Sequence, residues 1–95
     1  MLYTLSRSPY YCDFSSILRL INKDDSILLF QDGVIAGISK TNFFLALQKT
    51  CAKIYALNED VNARGLQKKI SKKIFFISYI DFVKLTEIHE QQFAF

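Results

Sequence analysis

The sequence is short of the residues from which small active sites are usually assembled. It holds one histidine, His89, and two cysteines, Cys12 and Cys51, that lie far apart and form no CxxC pair. A four-ligand metal centre has too few candidates, and neither a zinc site nor a disulfide framework is expected. Glycine is equally scarce, with Gly33, Gly37 and Gly65 the only three. The GxGxxG spacing that lets backbone N–H groups approach a dinucleotide is missing, and so is a phosphate loop with its Lys-Ser/Thr pair. No metal and no cofactor is therefore expected. No apolar run reaches the roughly 20 residues that cross a bilayer. The start, MLYTLSRSPYY, lacks the basic region and long apolar stretch of a secretory leader, so a cytoplasmic protein is expected. Charge is mild too: nine lysines and three arginines against nine acidic residues give +3, which permits an acidic partner without requiring one.

What the sequence has in quantity is apolar surface. Of 95 residues, 51% are hydrophobic and 15% aromatic, against 22% charged. That composition excludes a disordered chain. The length fits one domain spanning residues 1–95, and a chain so short buries a smaller share of its surface than a larger one. Part of the apolar excess is expected to meet partner subunits, because large bare patches are unusual on monomers.

Strand-like and helix-like segments alternate along the chain. Residues 1–5 (MLYTL) read as a strand ended by the Ser8-Pro9 turn signal. Asp13 is placed to cap a helix whose apolar positions Phe14, Ile17, Leu18 and Ile21 follow helical spacing. Residues 27–30 form a second strand, whose unbroken apolar run fits a sheet covered on both faces. Residues 34–38 and 42–49 read as one or two helical pieces, broken near Gly37-Ile38-Ser39. Residues 52–57 (AKIYAL) are a third strand. Asn58 reads as the cap of a short helix over 59–64, with Glu59 and Asp60 in its first turn and Gly65 at its exit. A basic connector, 68–73, leads into a fourth strand at 74–78, and 81–89 reads as a helix with Phe82, Leu85 and Ile88 or His89 on one side. The tail, EQQFAF from Glu90 to Phe95, is assigned either to an edge strand or to docking on a neighbour. The expected class is α/β: a single small domain with a mostly parallel sheet of four to five strands and helices on both faces.

In such folds the working edge lies where strands end at their carboxyl termini. Four loops qualify: residues 6–12, 31–34, 58–65 and 79–81. The corner SILLFQDGVIAGI (26–38) resembles a phosphate-binding turn, but Asp32 at its mouth would repel a phosphate, and Gly33 is read as easing the bend. Glu59 and Asp60 are adjacent on a helix start and do not face each other, so they are read as capping and dipole residues. Cys12 precedes a helix N-terminus, where a thiolate is favoured by the dipole, although only Arg7 is a nearby base and Tyr10 and Tyr11 are able to bury it. Cys51 is read as a small core hydrophobe and His89 as a helix-end or interface residue. Lys68, Lys69, Lys72 and Lys73 suit either a solvated connector or RNA phosphates. No nucleophile, base and orienting group come together, so no catalytic residue is expected. The candidate contact residues are Tyr10, Tyr11, Gln31, Asp32, Phe93 and Phe95, chosen because aromatics are favoured interface anchors.

Five segments carry a resemblance to a known family: MLYTLSRSP, ILLFQDGV, YALNEDVNARGL, ISYIDFVKLT and HEQQFAF. In order and at matching lengths, they resemble the DsrH/TusB family of sulfur-relay subunits. Tyr10 and Phe95 stand where the family carries tryptophan, and Glu90 where it carries proline. The resemblance implies a DsrE/F/H-like fold with Rossmann-like layering. It also implies membership of a heterohexamer, a dimer of heterotrimers with TusC- and TusD-like partners. That assembly exchanges persulfide sulfur with upstream and downstream carriers, and the sulfur enters the 2-thio group of 5-methylaminomethyl-2-thiouridine at the tRNA wobble position. The relay cysteine of the family belongs to the D subunit, so a persulfide on Cys12 is the alternative rather than the expectation. Direct tRNA binding and membrane association are not expected.

Overall fold

Short apolar segments build one parallel sheet in the computed structural model, which describes residues 1–89 and 91–95 and leaves Glu90 outside the described residues. Its strands are β1 (Leu2–Leu5), β2 (Ser26–Leu29), β3 (Lys53–Leu57), β4 (Phe75–Ile77) and β5 (Gln92–Ala94). Their spatial order is β4-β3-β2-β1-β5. Every neighbouring pair is parallel, so the mostly parallel sheet expected from sequence is parallel throughout. The tail is the edge strand of the two alternatives, with Tyr3 registered against Phe93.

The central strands do not alternate in burial because both faces of the sheet are covered. Every residue of β1 and β2 is buried. Tyr3, Ile27 and Ile54 form one row and Leu5, Leu29 and Ala56 another, and both belong to the main core. Against that face pack Phe14, Ile17 and Leu18 of α1 (Phe14–Leu18) and Phe43, Phe44 and Leu47 of α2 (Asn42–Lys49). Successive neighbours β1 to β4 are joined by crossovers through α1, α2 and α3 (Asn58–Ala63), whereas α4 (Tyr79–Ile88) carries the chain back from one edge to the other. Right-handed crossovers running in opposite directions place their helices on opposite faces. Accordingly Leu85 and Ile88 of α4 line a groove with Ser26, Lys53 and Tyr55, and the Phe82 ring stacks on Phe30 with centroids 6.0 Å apart.

Local chemistry accounts for the element ends and corrects several expected bounds. Asp13 caps α1 as expected, accepting from the Ser16 N–H at 3.4 Å and the Ser16 hydroxyl at 2.7 Å. The helix stops at Leu18, and buried Ile21 lies beyond it. Thr41 caps α2, accepting from the Phe44 N–H at 3.2 Å. Residues 34–37 are helical as expected, within a 3-10 segment that spans Gln31–Gly37, and the expected break falls at Ile38, which turns extended and bridges to Ile70. Asn58 is not a cap; Leu57 holds that position, and no side chain caps α3. The exit at Gly65 is as expected, in the left-handed region with φ 65°, and the Leu66 N–H donates to the Val61 carbonyl at 3.1 Å. Ser78 caps α4 and accepts from the Asp81 N–H, so that helix starts two residues before the expected position.

Candidate functional site

After β2 the chain must reverse without opening the sheet, and two residues divide the task. Gln31 takes the left-handed conformation, with φ 50°. Gly33 lies against the end of β1, so close that a Cβ there would sit 2.0 Å from the Leu5 carbonyl oxygen. Gly33 is thus required for close approach of two backbones, and the bend expected of it is borne by Gln31. The Phe30 N–H donates to that same Leu5 carbonyl at 3.1 Å, and the Gly33 N–H to the Phe30 carbonyl at 2.9 Å.

The carboxylates that follow β3 hold neighbouring loops together rather than capping their own helix. Asp60 Oδ2 accepts from the Gln31 N–H at 2.6 Å, which secures the strained residue. Glu59 Oε2 accepts from the Tyr79 N–H at 2.9 Å and so ties α3 to the start of α4. Arg64 donates through Nε and Nη2 to Asp32 Oδ1, at 3.1 and 2.9 Å, and through Nη1 to the Asp60 carbonyl at 3.2 Å. Asp32 is exposed as expected, yet it is engaged by an arginine. Arg64 is a residue of this site that the sequence does not announce; its one signal is the i,i+4 spacing to Asp60 at the end of a short helix.

Two open grooves lie at this end of the sheet, the first of them bordered by the clamp. The first, about 480 Å³, is lined by Tyr10, Asp32, Ile35, Ile38, Arg64 and Leu66, and joins an ion pair at one end to an apolar floor. Tyr10 is placed by a 3-10 turn over Pro9–Tyr11, in which the Tyr10 N–H donates to Ser8 Oγ at 3.3 Å. Its ring meets Phe43 edge-on with centroids 4.9 Å apart, and 71% of its surface is still exposed. The second groove, about 500 Å³, is bordered by Arg7, Tyr11, Cys12, Ile17, Leu20 and Phe95. Phe95 and Phe93 stack on each other at 4.7 Å and on Tyr3 at 5.9 and 6.3 Å, which turns the β5 edge into an aromatic ladder.

The six candidate contact residues therefore fall into neighbouring groups. Tyr10 and Asp32 share one groove, Tyr11 and Phe95 share the other, Phe93 sits half-exposed beside Phe95, and Gln31 is exposed above Asp60. The thiol of Cys12 is half-buried at the wall of the second groove. Burial pushes its ionisation upward, Arg7 offsets this in part, and Asp13 adds to it. Burial thus works against the thiolate that a helix N-terminus would favour. Cys51 is not a core residue either: it is exposed, in the left-handed region with φ 60°, where the chain turns from α2 into β3. Lys68, Lys69, Lys72 and Lys73 are all exposed on the connector before β4. His89 is half-buried at the end of α4, in a groove with Asp24 and Asp25. Among the described residues, no three His, Cys, Asp or Glu side chains cluster to hold a metal ion, and no helix is long and apolar enough to cross a membrane.

Comparison with known proteins places the chain among relatives of its own length. The sequence profile of DsrH-like proteins matches residues 7–92. The chain is 52% identical over 94 residues to Protein TusB of Photorhabdus laumondii, covering 99% of each chain. It is 48% identical over 94 residues to Protein TusB of Escherichia coli strain K12, again with 99% of each covered. Among solved structures, Protein Tm0979 from Thermotoga maritima matches with a TM-score of 0.68 at 28% identity, over 96% of this chain and 97% of that one. The ychN protein of Escherichia coli matches with a TM-score of 0.78 at 12% identity, over 99% and 97%, a likeness of fold alone.

Proposed function

This chain belongs to the DsrH-like protein family, and on that premise we propose that it is an interaction subunit of a sulfur-relay complex serving tRNA thiolation. In this reading it works in the cytoplasm with TusC- and TusD-like partners, as one member of a dimer of heterotrimers. The assembly passes persulfide sulfur from an upstream carrier to a downstream one, toward the 2-thio group of the wobble uridine. This chain carries no sulfur itself; the relay cysteine sits on a partner, and catalysis belongs to the assembly.

The observation that carries the reading is the character of the carboxyl edge. Two grooves open beside the exposed rings of Tyr10 and Tyr11, and the β2 turn that walls the first of them is held by the Asp60–Gln31 and Arg64–Asp32 contacts. Exposed aromatics on a pre-organised surface suit protein recognition, where a few aromatic or arginine anchors carry most of the energy. The one thiol in reach is pushed away from its reactive form, which favours packing over sulfur transfer.

Co-expression with candidate C and D subunits, followed by mass measurement of the intact assembly, tests the proposal. The expected result is a stable complex containing all three chains, weakened by Tyr10→Asp together with Tyr11→Asp. A chain that purifies alone and ignores both partners overturns it.

A further inference from the structure

One large apolar surface lies away from the grooves at the carboxyl edge. Strand β4 ends the sheet: it pairs with β3 on one side, and no strand pairs with its other edge among the described residues. Bare sheet edges are ordinarily blunted by charge, proline or a bulge, because an unpaired edge recruits another strand. Here the run Ile74 to Ile80 (IFFISYI) holds no charge and no proline. Phe75 and Phe76 are 57% and 44% exposed, Tyr79 and Ile80 are 59% and 68% exposed, and Val83, about one helical turn past Ile80 on α4, is 40% exposed. Phe75 lies on the face of the sheet that carries Tyr55, with ring centroids 5.7 Å apart, and Phe76 points to the opposite face. Neither side of this edge is finished within one chain.

Charge distinguishes among the possible occupants. Lys72 and Lys73 are exposed at the amino end of β4, while Glu59 and Asp81 lie at its carboxyl end beside Tyr79. Neither Lys73 nor Asp81 is in an ion pair among the described residues. A single-stranded RNA would meet lysines and aromatics at one end, but two carboxylates at the other. An edge that is positive at one end and negative at the other complements itself when two copies run antiparallel across a two-fold axis.

We propose that β4 pairs antiparallel with β4 of a second copy of this chain, joining the two sheets into one. With the axis at Phe76, the two Phe76 side chains oppose each other on one face. Each Phe75 opposes Ile77 of the other copy on the second face, an aromatic against a β-branched residue, which is a favourable cross-strand pair. Lys72 and Lys73 of each copy then come beside the Tyr79–Asp81 end of the other. This inference does not rest on the sulfur-relay reading, since it concerns the chain by itself.

The test is sedimentation of the full-length chain alone, with circular dichroism to confirm folding. The wild type is expected to dimerise more weakly as salt rises. Lys73→Glu and Asp81→Lys each place like charges across the axis and are expected to weaken dimerisation by about tenfold or more. Mixing the two variants restores both opposite-charge pairs and is expected to restore the dimer. A wild type that stays monomeric to several hundred micromolar overturns the proposal. So does a dimer indifferent to both variants and to Phe76→Glu, and so does a mixture that fails to recover. Binding of tRNA by a monomeric wild type, lost in Phe76→Glu, assigns the surface to RNA and overturns it equally.

Discussion

Gly33 and Gly65 are both glycine for reasons that a substitution tells apart. At Gly33 the obstacle is the Leu5 carbonyl, a backbone atom that has nowhere to go. Gly33→Ala is expected to cost about 3 kcal/mol, the upper part of the range for overpacking. At Gly65 no atom stands within 4 Å of the added methyl, and φ is 65°. Gly65→Ala is therefore expected to cost only about 1 kcal/mol, the strain of a left-handed L-residue. Chemical denaturation of the two variants checks the order; equal losses would contradict the close-approach account. The cysteines separate in the same way. Cys51 is exposed, whereas Cys12 is half-buried with its ionisation pushed up. Limited alkylation near neutral pH, read by mass spectrometry of peptides, is expected to label Cys51 well before Cys12. Little of this was legible beforehand. A left-handed cysteine carries no sequence signal, and the reason for Gly33 lies in a carbonyl on another strand.

Between elements, single carboxylates join segments that are distant in sequence. Asp25 accepts from the Asn22 N–H at 2.8 Å and from the amino group of Met1 at 3.1 Å, which links the start of β1 to the start of β2. The Asn22 hydrogen bond is the largest cause holding the Asp25 carboxyl below the usual range; burial opposes it, and the terminal amine adds to it. Asp13 is likewise held low by its Ser16 bonds. A carboxyl lowered in the folded state stabilises the fold above its unfolded value and loses that effect as pH falls through the folded one. Stability should thus be fully present near neutrality and decline in acid, beginning around pH 4. Asp25→Asn is expected to lower stability at neutral pH and to flatten the acid decline, as measured by denaturation across pH. A decline unchanged in Asp25→Asn would place its origin elsewhere. Asp60→Ala leaves the Gln31 N–H without its acceptor. It is expected to cost about 1 kcal/mol and to loosen the corner, with faster amide exchange at Gln31. Sequence pattern located the caps Asp13 and the exit Gly65, whose chemistry is local. It missed the Arg64–Asp32 pair, which spans 32 positions and exists only once α3 stands beside the β2 turn.

At the scale of the whole molecule, alternation of apolar runs with helical spacing was enough for the α/β class and the parallel sheet. Strands β1 to β4 declare themselves by their own composition, and short crossovers leave little freedom in how they associate. The edge position of β5 was one of two open readings, because a three-residue strand of QFA carries too little pattern to decide. The grooves were not legible, since their walls come from segments separated by up to 88 positions in sequence, from Arg7 to Phe95. In the proposed function the chain serves the relay by contact, with no sulfur chemistry of its own. The most direct test is to supply a strain lacking this gene with a Cys12→Ser, Cys51→Ser chain and to measure 2-thiolation of the wobble uridine. Thiolation equal to that given by the wild-type chain is expected; its loss in a cysteine-free chain that still assembles with its partners would show that this chain carries sulfur itself.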